Sequence, residues 1–127
     1  METIGITVDC SADDYDAVAE FWAAALGYER VLPGYLVDPI GIRPRMSFEI
    51  VAEPKVVKNR WHMDVYVESL EALEPRVCEL VALGATVVHH IDEVIYGHTN
   101  VFTTMVDPAG NEFCLCAPHI RLRDADG

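Results

Sequence analysis

Long apolar runs are missing from this chain. No stretch approaches the roughly 18–20 residues that a membrane-spanning helix needs, so no span is expected. Basic residues are few: nine Lys and Arg stand against 21 Asp and Glu, for a net charge of −12. Nucleic acid and anionic membranes repel a chain of that sign, and neither is expected as a partner. Cysteine is sparse as well. Cys10, Cys78, Cys114 and Cys116 lack the dense spacing of a secreted disulfide framework, so reduced and mostly buried thiols are expected. The segment METIGITVDC has neither the basic region nor the hydrophobic stretch of an export signal, and a cytoplasmic protein is expected. No nucleophile elbow, phosphate loop or dinucleotide fingerprint is present.

What is present is a repeat. Each half reads strand, amphipathic helix, Leu-Gly stop and three short strands. The first copy runs IGITVDC, DYDAVAEFWAAALGY and MSFEIVA; the second runs HMDVYVE, SLEALEPRVCELVALGA and NEFCLCA. Module one covers about residues 3–52 and a linker 53–60. Module two covers about 61–117, and a polar tail, 118–127, is expected to fray. The class is α+β, and 127 residues with 51% apolar content suffice for one domain with a real core. One βαβββ unit is too small to cover its own sheet. Two must pack together into a curved sheet with a groove, where a ligand would sit.

Finer expectations follow from local pattern. Asp13 or Asp14 caps the first helix, whose stripe Val18, Phe21, Trp22, Ala25 and Leu26 is core. Turns fall near 33–34 and 38–44, and Pro39–Pro44 reads as a mobile loop over the groove. Ser69 caps the second helix, with Leu70, Leu73, Val77, Leu80 and Val81 inward, while Pro75 conflicts with a regular helix from Leu70. Val87–His90 is a short strand, Ile91–Gly97 a turn region and 107–111 a tight turn. Arg43, Arg45, Lys55, Lys58 and Arg60 either neutralise a locally acidic surface or form a positive rim for a small anion.

The Phe21-Trp22 pair before Leu26-Gly27, the DPAGNEF turn (107–113), the segment AEPKVVKNRWHMDV (52–65) and the doubled βαβββ pattern resemble the vicinal oxygen chelate superfamily. Within it they look most like the small glyoxalase-like domain branch, beside glyoxalase I, bleomycin-resistance proteins and extradiol dioxygenases. The resemblance covers about residues 3–117. It implies eight strands forming an incomplete barrel around a central cavity. Metal-using members place four ligands there, and those positions fall near Thr3, on Glu49, on His62 and on Cys114. Glu49 and His62 suit a cation, Cys114 replaces a carboxylate, and Thr3 offers no usable donor. No cofactor is therefore the first expectation. The alternative is a weakly held zinc, nickel, manganese or iron ion on His62, Glu49 and Cys114.

His62, Asp64 and Tyr66 alternate and so share one face of a strand. With Glu49 they form an acid–base kit, His62 and Glu49 being the candidate catalytic pair. Asp64 is weaker, since it can pair with Lys58 or Arg60. Tyr66, Asp64, Cys114, Trp61 and Phe102 are the candidate ligand contacts; Tyr35 and Tyr96 can also line a pocket or simply pack. His89 and His90 point to opposite faces and cannot chelate together, and one lies at the surface; His98 is solvated or reaches the cavity mouth. Two functions stay open. One is a small-molecule-binding protein without a complete metal site, for an anionic or aromatic ligand. The other is a lyase, isomerase or dioxygenase-type enzyme. A homodimer is expected, because open sheet edges invite pairing.

Overall fold

A computed structural model describes residues 1–123. It forms two compact units, each a βαβββ module of the expected α+β class. No helix among the described residues is long and apolar enough to cross a membrane.

The first unit comprises Met1–Val57 with Asp107–Gly110. Its elements are β1 (Gly5–Cys10), α1 (Tyr15–Leu26), β2 (Glu29–Leu32), β3 (Tyr35–Val37) and β4 (Arg45–Ile50), in sheet order β1-β4-β3-β2. β1 and β4 run parallel; β3 is antiparallel to both its neighbours. Val18, Phe21, Trp22 and Ala25 are buried as the stripe predicts, with Leu36, Met46 and Phe48 as the sheet's share of the core. Gly27, at φ 68°, ends α1 in the left-handed conformation that glycine adopts without strain.

Two local expectations are corrected here. Asp14 does not cap α1 with its side chain. Ser11 organises the turn instead: its Oγ accepts from the Asp14 amide (3.2 Å) and donates to Asp14 Oδ2 (3.0 Å). The 38–44 loop is tethered rather than mobile. The buried Asp38 carboxylate accepts the backbone N–H groups of Ile40, Ile42 and Arg43 and one N–H of the Arg43 guanidinium (3.2 Å). That guanidinium, helped by the three amides, holds the Asp38 carboxyl well below the usual carboxylate range. Arg43 also lies 4.7 Å over the Tyr28 ring, so this basic residue is engaged internally.

The second unit comprises Lys58–Val106 and the chain from Asn111 onward. A single 3-10 turn (Leu70–Ala72) leads into α2 (Leu73–Leu83). The strands are β5 (Met63–Tyr66), β6 (Thr86–Ile95), β7 (His98–Val106) and β8 (Glu112–Cys116), in order β5-β8-β7-β6. Ser69 caps the 3-10 turn and not α2 itself: its Oγ accepts from the Ala72 amide (3.2 Å), and Ala72, with no side-chain cap, stands at the N-cap of α2. Pro75 explains the break: it lies in the first turn of α2, where its missing N–H has no intrahelical acceptor to lose. Leu73 and Leu80 are buried, but Leu70 and Val81 are 47% and 46% exposed. The stripe is narrower than the pattern implies, because Leu70 sits in the 3-10 turn and Val81 lies at the edge of the contact face.

β6 is longer than expected. Ile91–Ile95 continue the strand, and only Tyr96 and Gly97 turn, both at positive φ (50° and 74°). Two such residues make the tight hairpin whose twist matches its strands. The tail is also more ordered than its polarity suggests. The Thr99 amide donates to the Ile120 carbonyl (2.8 Å), and the Leu122 amide to the Gly97 carbonyl (2.7 Å). The expectation of fraying for 124–127 lies outside the described residues.

Candidate functional site

Strand register in the second unit composes the site. β5 pairs with β8 in parallel, placing Asp64 beside Cys114 and Tyr66 beside Cys116. β7 pairs with β8 antiparallel, placing Thr104 beside Cys114 and Phe102 beside Cys116. β6 adds His89 opposite Thr104 and Ile91 opposite Phe102. Paired residues share a face, so two rows cross the sheet: Asp64–Cys114–Thr104–His89 and Tyr66–Cys116–Phe102–Ile91. The opposite face carries Phe113, Leu115 and Met105, which are buried. The polar rows therefore lie on the side away from the packed core.

Side-chain contacts tie these rows together. His62 Nδ1 is 3.1 Å from Asp64 Oδ1. Thr104 Oγ1 is 3.4 Å from both Cys114 Sγ and His89 Nε2. Donor atoms of His62, Asp64 and Cys114 all lie within 4.8 Å of one another. Beside them is a hollow of about 150 Å³, lined by these three with Tyr66, Phe102, Cys116, Asn100 and His119. Tyr66 Oη is 3.1 Å from His119 Nε2, and the two rings meet edge to face at 5.6 Å.

The thiols are neutral at ordinary pH. Burial pushes Cys116 up to about 12, and the nearby charges of Asp64 and Cys114 act in the same direction. Burial also raises Cys114, against the hydrogen bond from Thr104. Tyr66 is raised by burial, then by Cys116 and Asp64. The hollow thus joins an exposed His–Asp pair to a floor of protonated thiols and a phenol. The pair can orient one imidazole nitrogen and leave the other to exchange a proton with a ligand.

Of the predicted residues, His62, Asp64, Tyr66, Phe102 and Cys114 come together. The partner of Asp64 is His62, and not the linker cations Lys58 or Arg60 with which it could have paired. Trp61 is 92% exposed and lines no part of the hollow, since it precedes β5 and has no strand neighbour to cover it. Glu49 is an exposed residue of β4 in the first unit, in register with Asp9. Cys10 is buried at the end of β1, and Cys78 is exposed on α2. His89 and His90 do face opposite sides: His90 Nδ1 contacts Thr103 Oγ1 (2.9 Å) on the helix-facing side. His98 is exposed, as the solvated reading holds.

Thr104, Asn100 and His119 were missed. The alternation of Asn100, Phe102 and Thr104 along β7 carried a signal for two of them. His119 had none, because its segment reads as polar tail.

The donor set of one imidazole, one carboxylate and one thiol fits a borderline-soft divalent cation of the zinc class. Its carboxylate is Asp64. Cys114 would have to lose its proton first, so such binding is disfavoured at low pH.

The glyoxalase-like domain family matches residues 5–116 of the chain. No curated protein matches it. Among solved structures, the fold is similar to a glyoxalase/bleomycin resistance protein/dioxygenase family enzyme from Burkholderia phytofirmans PsJN. That pair has a TM-score of 0.66 and 18% identity, covering 87% of this chain and 95% of the other. It is also similar to a mutant of the fosfomycin resistance protein FosX from Listeria monocytogenes, solved with Mn(II) and 1S,2S-dihydroxypropylphosphonic acid. There the TM-score is 0.69 at 12% identity, covering 91% of each chain. A hypothetical protein, SA1046 from S. aureus, has a TM-score of 0.62 at 17% identity, covering 93% of this chain and 98% of that one.

Proposed function

The chain belongs to the glyoxalase-like domain family, and on that premise we propose that it binds a small molecule in the hollow of the second sheet. The His62–Asp64 pair is the proton-handling group there. The observation that carries this reading is the convergence of His62, Asp64 and Cys114 within 4.8 Å beside Tyr66 and Phe102. Phe102 supplies an apolar wall for an aromatic or aliphatic body. The imidazole, the Tyr66 phenol and the Asn100 amide supply hydrogen bonds to polar groups such as a carboxylate or ketone. The first reading is binding or sequestration without a tightly held metal.

A second reading is favoured by the three-donor cluster. His62, Asp64 and Cys114 would hold a zinc-class ion, which when bound would supply Lewis-acid polarisation of a ligand oxygen. In that reading His62 serves as a metal ligand and no longer exchanges a proton, and the chemistry is of lyase, isomerase or dioxygenase type. Glu49 is the second candidate carboxylate of the enzyme reading, tested by Glu49→Gln. The FosX complex is an example of what this fold hosts in another protein.

Metal analysis of purified protein, with calorimetric zinc titration of wild type, His62→Ala and Cys114→Ser, separates the two. Stoichiometric metal lost in both variants supports the metal enzyme. No metal, with library ligands raising the melting temperature of wild type but not of His62→Ala, supports the binding protein. Ligand stabilisation that ignores His62→Ala, Tyr66→Phe and Phe102→Ala rejects this hollow as the site.

A homodimer and a cytoplasmic location belong to the same proposal. Each sheet has free edges, β1 and β2 in one and β5 and β6 in the other, and β2 exposes Val31 and Leu32. Light scattering at micromolar concentration should give twice the chain mass of 14.1 kDa.

A further inference from the structure

The helix-facing side of the second sheet holds a feature that the His62 hollow does not involve. Beyond Leu73 and Leu80, α2 does not close over β6. Between them lies a cleft of about 490 Å³. Leu70, Leu73 and Val77 form one wall, and Val87 and Val101 form the other. A bulge between Val87 and His89 shapes this face. It puts Val87 and His90, three residues apart, on the same side, which an unbroken strand would not do. The His90–Thr103 pair closes the wall with its Nδ1···Oγ1 contact of 2.9 Å.

The charges at the cleft all have one sign. Glu74 and Asp92 line it, and no Lys or Arg does. Neither carboxylate has a hydrogen bond or ion pair among the described residues, and both are exposed. The volume is that of a site for a drug-sized ligand. We propose that this cleft binds a small lipophilic amine: an apolar body against Leu73, Val77 and Val101, and an ammonium group between Glu74 and Asp92. Anionic ligands are repelled there. A second copy of the chain is disfavoured too, because apposing two such faces brings four carboxylates together.

The test uses the intact chain and three probes of matched shape: 4-phenylbutylamine, 4-phenylbutyrate and 4-phenylbutanol. Amide NMR titration should show the amine shifting Val77, Val87 and Thr103, and binding about tenfold tighter than the carboxylate, a preference that added salt reduces. In the Glu74→Gln/Asp92→Asn protein the preference for the amine should vanish while alcohol binding is unchanged. Both side chains are exposed, so this variant is expected to fold. Val77→Trp, which fills the cleft, should abolish binding of all three. His62→Ala should change none of these results, which separates the proposal from the function assigned to the hollow. Absence of shifts at the cleft, equal affinity for amine and carboxylate, or a preference that survives the double substitution would overturn it. A dimer that Val77→Trp disperses, with no amine binding, would make the cleft a self-association face and reject the proposal equally.

Discussion

Trp22→Phe is the sharpest test of how the first unit is held. The Trp22 indole N–H donates to Asp107 Oδ2 at 3.0 Å, and both residues are only 3% exposed. Asp107 Oδ1 accepts the Ala109 amide at 2.9 Å, which shapes the 107–110 turn. A hydrogen bond to a charged group contributes about 1.5–3 kcal/mol, and losing the donor leaves a buried carboxylate oxygen with one partner fewer. The smaller phenyl ring adds a packing loss of about 1 kcal/mol. The expected destabilisation is therefore about 2.5–4 kcal/mol. At about 2.1 cal/mol/K per residue for the unfolding entropy, each kcal/mol lowers the melting temperature by just under about 4 °C, or roughly 9–15 °C in all. Urea unfolding followed by circular dichroism is the assay. Fluorescence is unsuitable, because the remaining Trp61 is exposed in the folded state and would report little. Asp107→Asn and the double variant complete a cycle with an expected coupling of about 1–2 kcal/mol. The asparagine keeps an acceptor for Ala109 but turns an N–H toward the indole donor. A Trp22→Phe protein within about 0.5 kcal/mol of wild type, or strict additivity in the cycle, refutes the reasoning.

Further outcomes are expected from the same structure. Cys78 is the one exposed thiol, so a thiol reagent at neutral pH should label one cysteine quickly and the other three only after denaturation; fast labelling of two or more would contradict the burial of Cys10, Cys114 and Cys116. Because the Cys116 thiol is raised to about 12 from an ordinary 9.0, the folded state keeps a proton that the unfolded state releases. Stability from this source is complete below about pH 9 and declines as pH rises toward 12. Urea midpoints at pH 7 and 10.5 should show that decline, and Cys116→Ser should lessen it. Asp38 has the opposite sign: its carboxyl is depressed, so its contribution is present above its ordinary value of 3.8 and fades as pH falls below it. In Asp38→Asn the acid sensitivity should shrink, and amide exchange at Ile40, Ile42 and Arg43 should quicken; unchanged exchange would mean that the carboxylate does not hold the loop.

Features governed by near neighbours in the chain were legible from residue pattern. The apolar stripe of α1, the Gly27 stop and the shared faces of His62, Asp64 and Tyr66 all follow from spacing, since periods of 3.6 and 2 are properties of the backbone. Misreadings arose where one particular hydrogen-bond partner or strand pairing, near or distant, decides. Pro39–Pro44 looked mobile because proline and glycine punctuate it, yet one buried carboxylate collects its amides. Asp92 and Glu93 looked like turn residues, but β6 is a sheet edge whose exposed side chains tolerate charge. The tail looked free because its hydrogen bonds go to Thr99 and Gly97, some twenty residues back.

By itself the sequence determined the duplicated βαβββ plan and the face on which each strand displays its chemistry, because both are written in local periodicity. It did not determine which carboxylate stands beside His62 and Cys114. Tertiary structure brought Asp64 beside Cys114, since the parallel pairing of β5 with β8 puts residues fifty positions apart into register. Register between distant strands is set by backbone hydrogen bonds and by the packing of the opposite face, neither of which a local pattern contains.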